Sequence, residues 1–452
     1  MKPDKVIHVD SDVWPYFNRA SFDQDKLVSY GDYQYTIYWA SDMALVVVRR
    51  DLRDDTVQTL RFPGYQLSIN PRDGHRNAVL GISPADGRLH MSWDHHNNDL
   101  RYTKSRAGFL TDPPNEIRAA DFEPQQPLTQ DAPQRVTYPR FFNDPDENLF
   151  LLYRTGGSGR GDTVMSKYDA DQGAWTLVSC QLFSQEGIYP PWNNSPSRNA
   201  YLHDVLFDGA GRLHITWVYR EAGKTWASNH DLHYASSDDA GLTWQNNAGE
   251  TIADVSKNKP ILLDDPGIVV REIPVYSWLM NQCAMALDSH NGPHVATFKG
   301  PEPFIPEQLE HNPPAKAAER LAFYHYWRGR DGNWHSSGPV PVAHRRYGRI
   351  RRPNIVLDRD DNVYLYWASA QGYVCHAALT TDRYEKWATF PLTGPEFLCA
   401  DACKHDRRLL RSRDVLSFSA QPATPGGKKG YAILDFELKQ LVRQAEDALA
   451  AG

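Results

Sequence analysis

NAVLGISPADGRLHMSWDHH, residues 77–96, decides the fold. The apolar run Val79–Ile82 leads into a polar turn around Asp86 and Gly87. A second stretch then alternates Leu89, Met91 and Trp93 with His90 and Ser92, the pattern of a β-hairpin. The same sentence is written four more times, as RFFNDPDENLFLLYRTG (140–156), DVLFDGAGRLHITWVYR (204–220), AMALDSHNGPHVATF (284–298) and NIVLDRDDNVYLYWAS (354–369). The turns recur about every 60 to 80 residues, too far apart for hairpins alone and suited to four-stranded propeller blades with decorated loops. SYGDYQYTIYWASDMALVVVRRD (29–51) makes a further blade, and DVLSFSA (414–420) with GYAILDFEL (430–438) makes another. The expectation is an all-β chain: one seven-bladed β-propeller domain over residues 1–452, with a short C-terminal helical tail at about 437–450.

Composition agrees with that expectation. Thirteen Trp, 23 Tyr and 17 Phe beside 30 Gly and 31 Pro suit short strands and turns. A net charge of −7 argues against holding nucleic acid by phosphate neutralisation. No apolar run is long enough to span a membrane or to form a secretory core, so no membrane partner is expected. A cytoplasmic location follows from the sequence as given, and a periplasmic or secreted one if an export signal has been removed. The five cysteines are too scattered for a disulfide frame.

SSDDAGLTW, with Ser237, Asp239, Gly241, Thr243 and Trp244, resembles the Asp-box turn of sialidase-type propellers. Asp accepts from turn amides, Gly supplies a positive φ and Trp packs between blades, so the motif speaks for fold and not for activity. In the tail, Leu438, Leu441, Val442, Ala445, Ala448 and Leu449 fall at helical spacing. The proline-rich stretch from Gly300 reads as a long insertion or lid.

Chemistry-bearing residues gather at corresponding ends of the early hairpins. DGHRN carries His75, and WDHHNNDLRY carries His95, His96 and Asn97. TYPRF carries Tyr138, and LLYRTGGSGRGD carries Arg154. SRNAYLHD holds Arg198 and Tyr201, and WVYRE holds Tyr219 and Arg220. Imidazole, phenol and guanidinium groups converging at one end of a propeller form the complement needed to hold and deprotonate an anionic sugar. The competing explanation of each residue taken singly is structural.

In this order these motifs resemble the BNR-repeat polysaccharide lyases, the ulvan lyases and related rhamnose-glucuronate lyases, best over roughly residues 70–245. The resemblance implies a seven-bladed propeller that cleaves a rhamnosyl-(1→4)-glucuronate linkage by β-elimination, leaving an unsaturated uronate. It places the catalytic set on His75, His96, Tyr138 and Arg154. His95, Asn97, Arg198, Tyr201, Tyr219 and Arg220 are then expected to bind substrate. Arg154 would neutralise the uronate carboxylate. Either His75 takes the proton and Tyr138 protonates O4, or Tyr138 does both.

An anionic polysaccharide or oligosaccharide is the expected partner, and a monomer the expected state. A sialidase-like hydrolase and a non-catalytic sugar-binding propeller are the alternatives. No cofactor is expected for catalysis. The resemblance also implies a structural zinc, which some ulvan lyases hold; Cys283, His290, His294, His203 and His214 could contribute to it, with the ligand set unassigned. Cys399-x-x-x-Cys403-x-His405 lacks a second matching half. GGSGRGD around Gly157 lacks the Gly-Lys-Ser/Thr ending of a phosphate cradle.

Overall fold

The computed structural model describes residues 1–16, 25–67, 72–76, 78–128, 135–223, 225–304, 318–340, 342–397 and 401–450. Seven antiparallel sheets form the propeller. Blade 1 comprises Leu27–Tyr30, Tyr33–Trp39, Ala44–Asp51 and Val57–Gln66, and blade 2 comprises Ala78–Ser83, Arg88–Trp93 and Tyr102–Lys104. Blade 3 runs through Arg135–Asn143, Leu149–Arg154, Thr163–Asp169 and Ala174–Ser179. Blade 4 begins with Arg198–Phe207, Leu213–Glu221 and Asn229–Ser237. Blade 5 is built from Ala284–Leu287, Pro293–Lys299, Ala322–Arg328 and Trp334–Val340. Blade 6 is built from Asn354–Leu357, Val363–Ser369, Gly372–Ala378 and Ala388–Pro391. In blade 7 the strand Lys5–Asp10 pairs with Tyr431–Glu437, which pairs with Val415–Ala420. The two ends of the chain thus share one sheet, which closes the ring.

The five repeated hairpins are the two innermost strands of blades 2 to 6. Flanked by neighbouring blades, these strands are buried on both faces: Ala78–Ser83 and Leu149–Arg154 are buried at every position. That explains why apolar residues run on with little polar interruption. In blades 4, 5 and 6 the aspartate opening the turn has one repeated task. Asp208 Oδ1 accepts from the N–H groups of Ala210 and Arg212, Asp288 Oδ1 from His290 and Gly292, and Asp358 Oδ1 from Asp360 and Asn362.

The Asp-box behaves as expected. Asp239 accepts from the Thr243 amide and hydroxyl at 2.8 and 2.7 Å, and Trp244 packs with Met165 of blade 3. Gly241 has φ of +90°, and an added Cβ there would run into Met165. The tail forms the helix Leu438–Ala450, with Leu438, Leu441 and Ala445 buried against blades 6 and 7. Most of the proline-rich insertion, residues 305–317, lies outside the described residues.

Residues Asp401–Arg407 run down the centre of the ring. Asn354 donates to the carbonyls of Ala402 and Cys403, and Asp406 accepts from Ser29 and Gln34. Asp204 of blade 4 is fully buried among Arg140 of blade 3, Lys404 and Arg407. The segment therefore ties inner strands of several blades together through ion pairs. Cys403 and His405, which the sequence already set aside as metal ligands, belong to this packed segment. Cys403 is buried among Val13, Tyr38, Val46, Val48 and Tyr431, and His405 lies beside Tyr366. Cys399 falls outside the described residues.

Candidate active site

Inner strands of successive blades begin at one mouth of the ring, and a cleft of about 1010 Å³ opens there. His75, His96, Asn97, Tyr138, Arg154, Tyr201 and Arg220 all line it. Seven sequence-predicted positions from blades 2, 3 and 4 are thus brought together.

A single carboxylate organises the histidines. Asp73 Oδ1 lies 2.5 Å from His75 Nδ1, and Asp73 Oδ2 lies 2.5 Å from His96 Nδ1. The rings stack with centroids 4.1 Å apart. His96 reaches this position because the strand His96–Asp99 leaves blade 2 and pairs with the inner strand of blade 3, setting His96 opposite Thr137. Burial would raise the Asp73 carboxyl, but the hydrogen bonds from His75 and His96 outweigh it and hold the group well below the usual carboxylate range. An ionised carboxylate only accepts, so both Nδ1 atoms carry hydrogen and a neutral ring presents its Nε2 lone pair. Burial, helped by the neighbouring His96 and Arg352 charges, also pulls the His75 pKa below its ordinary value. At neutral pH His75 is an uncharged base.

Tyr138 sits in a β-bulge of the Arg135–Asn143 strand, where the register slips between Thr137 and Arg140. Its φ is +57°, a left-handed backbone costing roughly 1–2 kcal/mol for a residue with a side chain. The bulge turns the phenol into the cleft, where its ring centroid lies 6.2 Å from those of His75 and Tyr201. Burial, reinforced by Tyr201, pushes the Tyr138 phenol up to about 12, so it stays protonated.

Arg154 stands over the rings of Tyr138 and Tyr201 at 5.1 and 5.7 Å, and its Nη1 donates to the Tyr201 hydroxyl at 3.2 Å. Arg220 donates to the same hydroxyl at 3.3 Å and to Asn229 at 2.8 Å. Burial acts to raise the Tyr201 phenol, but the Arg220 and Arg154 charges overcome it and bring it down to about 8. Among the described residues neither Arg154 nor Arg220 has a carboxylate partner, and Arg154 Nε is a buried donor with no acceptor. Two guanidiniums held without an acid beside them form a receptor for a carboxylate.

Three expected binding residues lie behind the wall and not in the cleft. His95 is buried, with Nε2 against Ser92 and the Arg101 backbone, and burial brings its pKa down to about 3. Tyr219 packs with Trp217 and Phe183 between blades 3 and 4. Arg198 is fully buried on Glu221, at 2.8 Å, which His230 also contacts at 3.1 Å. The pairs His95/His96 and Tyr219/Arg220 show the physical reason: adjacent residues of extended chain face opposite sides.

Sequence reading left out Asp73, although it stands in DGHRN, and the whole RIRRP stretch, 349–353. Arg349, Arg351 and Arg352 line the cleft from the far side, with Asn281 and Asp401. Arg352 pairs with Asp401 at 2.7 Å and donates to Asn281. The available signal was position, since RIRRP precedes a repeated hairpin as DGHRN does.

The residues considered for a structural zinc do not form a ligand set. His203 Nδ1 accepts from the Cys283 amide, His294 pairs with His325, His214 lies between Tyr234 and Asp208, and His290 is exposed. Among the described residues, Asp73, His75 and His96 alone bring three such donor atoms within 4.8 Å, and those atoms hydrogen-bond one another.

A family profile described as "BNR repeat-containing family member" matches residues 33–340. Among curated proteins, an ulvan lyase, long isoform, of Alteromonas sp. (strain LOR) is 24% identical over 270 residues, covering 50% of this chain and 26% of that protein. The corresponding long isoform of Pseudoalteromonas sp. (strain PLSV) is 25% identical over 270 residues, with the same coverage. The chain thus spans about a quarter of the length of these relatives. Among solved structures, polysaccharide lyase Uly1 superposes with a TM-score of 0.70 at 15% identity, covering 97% of this chain and all of that one. An ulvan lyase bound to -[GlcA(1-4)Rha3S]- gives a TM-score of 0.63 at 13% identity over 97% of this chain and 98% of that one. At these identities the superpositions establish the shared fold.

Proposed function

The chain belongs to the BNR repeat-containing family, and from that premise we propose that it is a polysaccharide or oligosaccharide lyase, cleaving a rhamnosyl-(1→4)-glucuronate linkage of ulvan type by β-elimination. The observation that carries this reading is Arg154: a guanidinium free of any carboxylate among the described residues, over the ring of a protonated Tyr138, in one cleft with the Asp73-oriented His75.

The steps follow from the side chains. Arg154, with Arg220 beside it, takes the uronate carboxylate and stabilises the negative charge that builds on it as the C5–H bond weakens. His75 Nε2 accepts the C5 proton. The electrons of that bond become the C4=C5 double bond, and the C4–O4 bond breaks. The Tyr138 hydroxyl donates its proton to the departing O4. His75 then loses its proton to solvent and Tyr138 regains one, restoring the resting state. The high Tyr138 pKa favours this division of labour over Tyr138 acting as both base and acid, since a resting phenolate would be costly. His96, fixed by the same aspartate, is placed to bind or polarise the uronate.

Absorbance near 235 nm during incubation with ulvan and with rhamnose-capped glucuronate oligosaccharides tests the proposal. A rising signal is expected. Reducing ends without that absorbance would indicate a hydrolase and overturn the reading, as would binding without any product.

A further inference from the structure

Behind the cleft wall lies a group of buried ionisable side chains that the elimination does not use. Arg198 and Glu221, both fully buried, are joined there by His230, the second residue of the strand Asn229–Ser237. His230 Nε2 lies 3.1 Å from Glu221 Oε1, and its Nδ1 lies 2.9 Å from Asp231 Oδ2. Burial would raise both carboxyls, but hydrogen bonds, with that from His230 foremost, hold each below its ordinary value. Ionised carboxylates only accept, so both ring nitrogens carry hydrogen and the ring is an imidazolium. Burial opposes that charge and Asp231 and Glu221 overcome it, which leaves the His230 pKa above its ordinary value. Arg198 and His230 then balance Glu221 and Asp231. A neutral ring would leave two carboxylates to one guanidinium in a buried site. The other ionisable groups facing His230 are Tyr189, Tyr219 and His233, with ring centroids at 3.9, 6.0 and 6.3 Å, while the exposed Glu272 acts on Tyr189. Burial keeps His233 neutral by bringing it down to about 3.

The cluster reaches the cleft at two points. Beside His230, Asn229 accepts from Arg220 Nε at 2.8 Å and donates to the Leu279 carbonyl at 2.7 Å, which sets the direction of the Arg220 fork. Beside Arg220, Glu221 leads into Ala222 and Gly223 of the cleft lining. The turn Tyr189–Ser195 grips Ala222, whose carbonyl accepts from Trp192 Nε1 at 2.8 Å and whose N–H donates to Ser195 Oγ at 3.2 Å. Arg198 donates to the carbonyls of Glu186 and Gly187, which lead into that turn. The Tyr189 ring lies on the His230 ring, 12° from parallel, so a cation rests on an aromatic face.

We propose that His230 is a positioning residue for substrate capture: its imidazolium, shared between Glu221 and Asp231 and capped by Tyr189, holds the Arg220 strand end and the Tyr189–Ser195 turn against the cleft, and loss of its proton loosens both. What Arg220 captures rests on the lyase reading, whereas the clamp itself does not. The sign follows from the fold. A histidine raised above its unfolded value of about 6.5 contributes fully below that pH and loses its contribution as pH rises through the raised value. His75 lies on the low side of this window and Tyr138, at about 12, on the high side. Tyr201, at about 8, titrates in the same region and is told apart by the variant below.

The test follows the His230 ring by NMR through a pH titration, its resonance identified by its absence from His230→Gln and by its displacement in Asp231→Asn, beside KM at 235 nm over the same range. The ring should titrate above about pH 6.5, and KM should rise about 10-fold through the same midpoint, the scale of one charge-assisted hydrogen bond, with kcat changing far less. Asp231→Asn removes one of the two acids and should carry the NMR midpoint and the KM midpoint to lower pH together, which a limb set by Tyr201 would not do. His230→Gln should show the raised KM already at low pH, with little further change on going up. If that variant does not fold, the unaltered protein and Asp231→Asn still decide. A ring that is neutral at pH 6.5, or a KM limb that stays in place while Asp231→Asn moves the NMR midpoint, would overturn the proposal. Failure of the lyase reading shows separately. With no 235 nm signal from any substrate, amide-exchange protection at Ser195 and Ala222 that falls through the His230 midpoint would still support the clamp, and protection indifferent to that midpoint would refute it.

Discussion

Replacing Asp73 by Asn tests whether the histidine pair works as a unit. The carboxylate now accepts from His75 Nδ1 and His96 Nδ1, both at 2.5 Å. An amide can accept from one ring, but its NH2 must face the other, forcing hydrogen onto that ring's Nε2 and removing its outward lone pair. One charge-assisted bond becomes neutral and the other is reversed. With charged bonds worth about 1.5–3 kcal/mol and neutral ones about 0.5–1.5, the loss comes to about 2–4 kcal/mol. At about 1.36 kcal/mol per decade, kcat for release of unsaturated product falls by about 30- to 1000-fold. KM should stay within about threefold, because Arg154, Tyr201 and Arg220 are untouched. The pH profile adds a signed check. Burial already holds the His75 pKa below its ordinary value while Asp73 pulls it upward, so removing Asp73 should move the acid limb of kcat/KM to lower pH. A kcat within threefold of the original protein, or an acid limb displaced to higher pH, would refute the reasoning.

Tyr138→Phe should lower the 235 nm rate by about 10²- to 10⁴-fold while calorimetric affinity for the oligosaccharide is retained; near-normal turnover would remove Tyr138 from the proton transfer. Arg154→Lys keeps the charge but loses the planar fork and should reduce kcat/KM by about 10- to 100-fold on uronate substrates. Asp204→Asn leaves Arg140, Lys404 and Arg407 without their shared counter-charge in the ring centre, and should cost about 3–5 kcal/mol in chemical denaturation. Its pH signature follows from the direction of the shift. Burial would raise the Asp204 carboxyl, but Arg407, Lys404 and Arg140 hold it well below the usual range. Its contribution is therefore complete above the unfolded value of about 3.9 and is lost as pH falls below it, so the variant's stability should vary less with pH in that range.

His75, His96, Tyr138, Arg154, Tyr201 and Arg220 were legible because repeated hairpins put their flanking segments at equivalent ends of successive blades. Which neighbour in HisHis or TyrArg faces the cleft was less legible, since extended chain alternates sides and the phase depends on local bulges and strand exchange. His96 is selected over His95 because the chain crosses from blade 2 to blade 3 at that point. Tyr138 turns inward through a bulge with a positive φ, which the letters TYPRF do not announce.

The sequence by itself determined the seven-bladed propeller, the Asp-box, the C-terminal helix and the group types gathered at one mouth of the ring, because strand periodicity and Asp/Gly turns are local physics. Ring closure was the work of the tertiary structure. It brings RIRRP of blade 6 into the same cleft as DGHRN of blade 2, roughly 275 residues away in the chain, and draws Asp401–Arg407 into the centre to meet Asp204. Such contacts arise from packing blades around an axis and leave no periodic mark in the sequence. For that reason the bridging role of Asp73, the cationic far wall and the withdrawal of Arg198 onto Glu221 were decided in three dimensions.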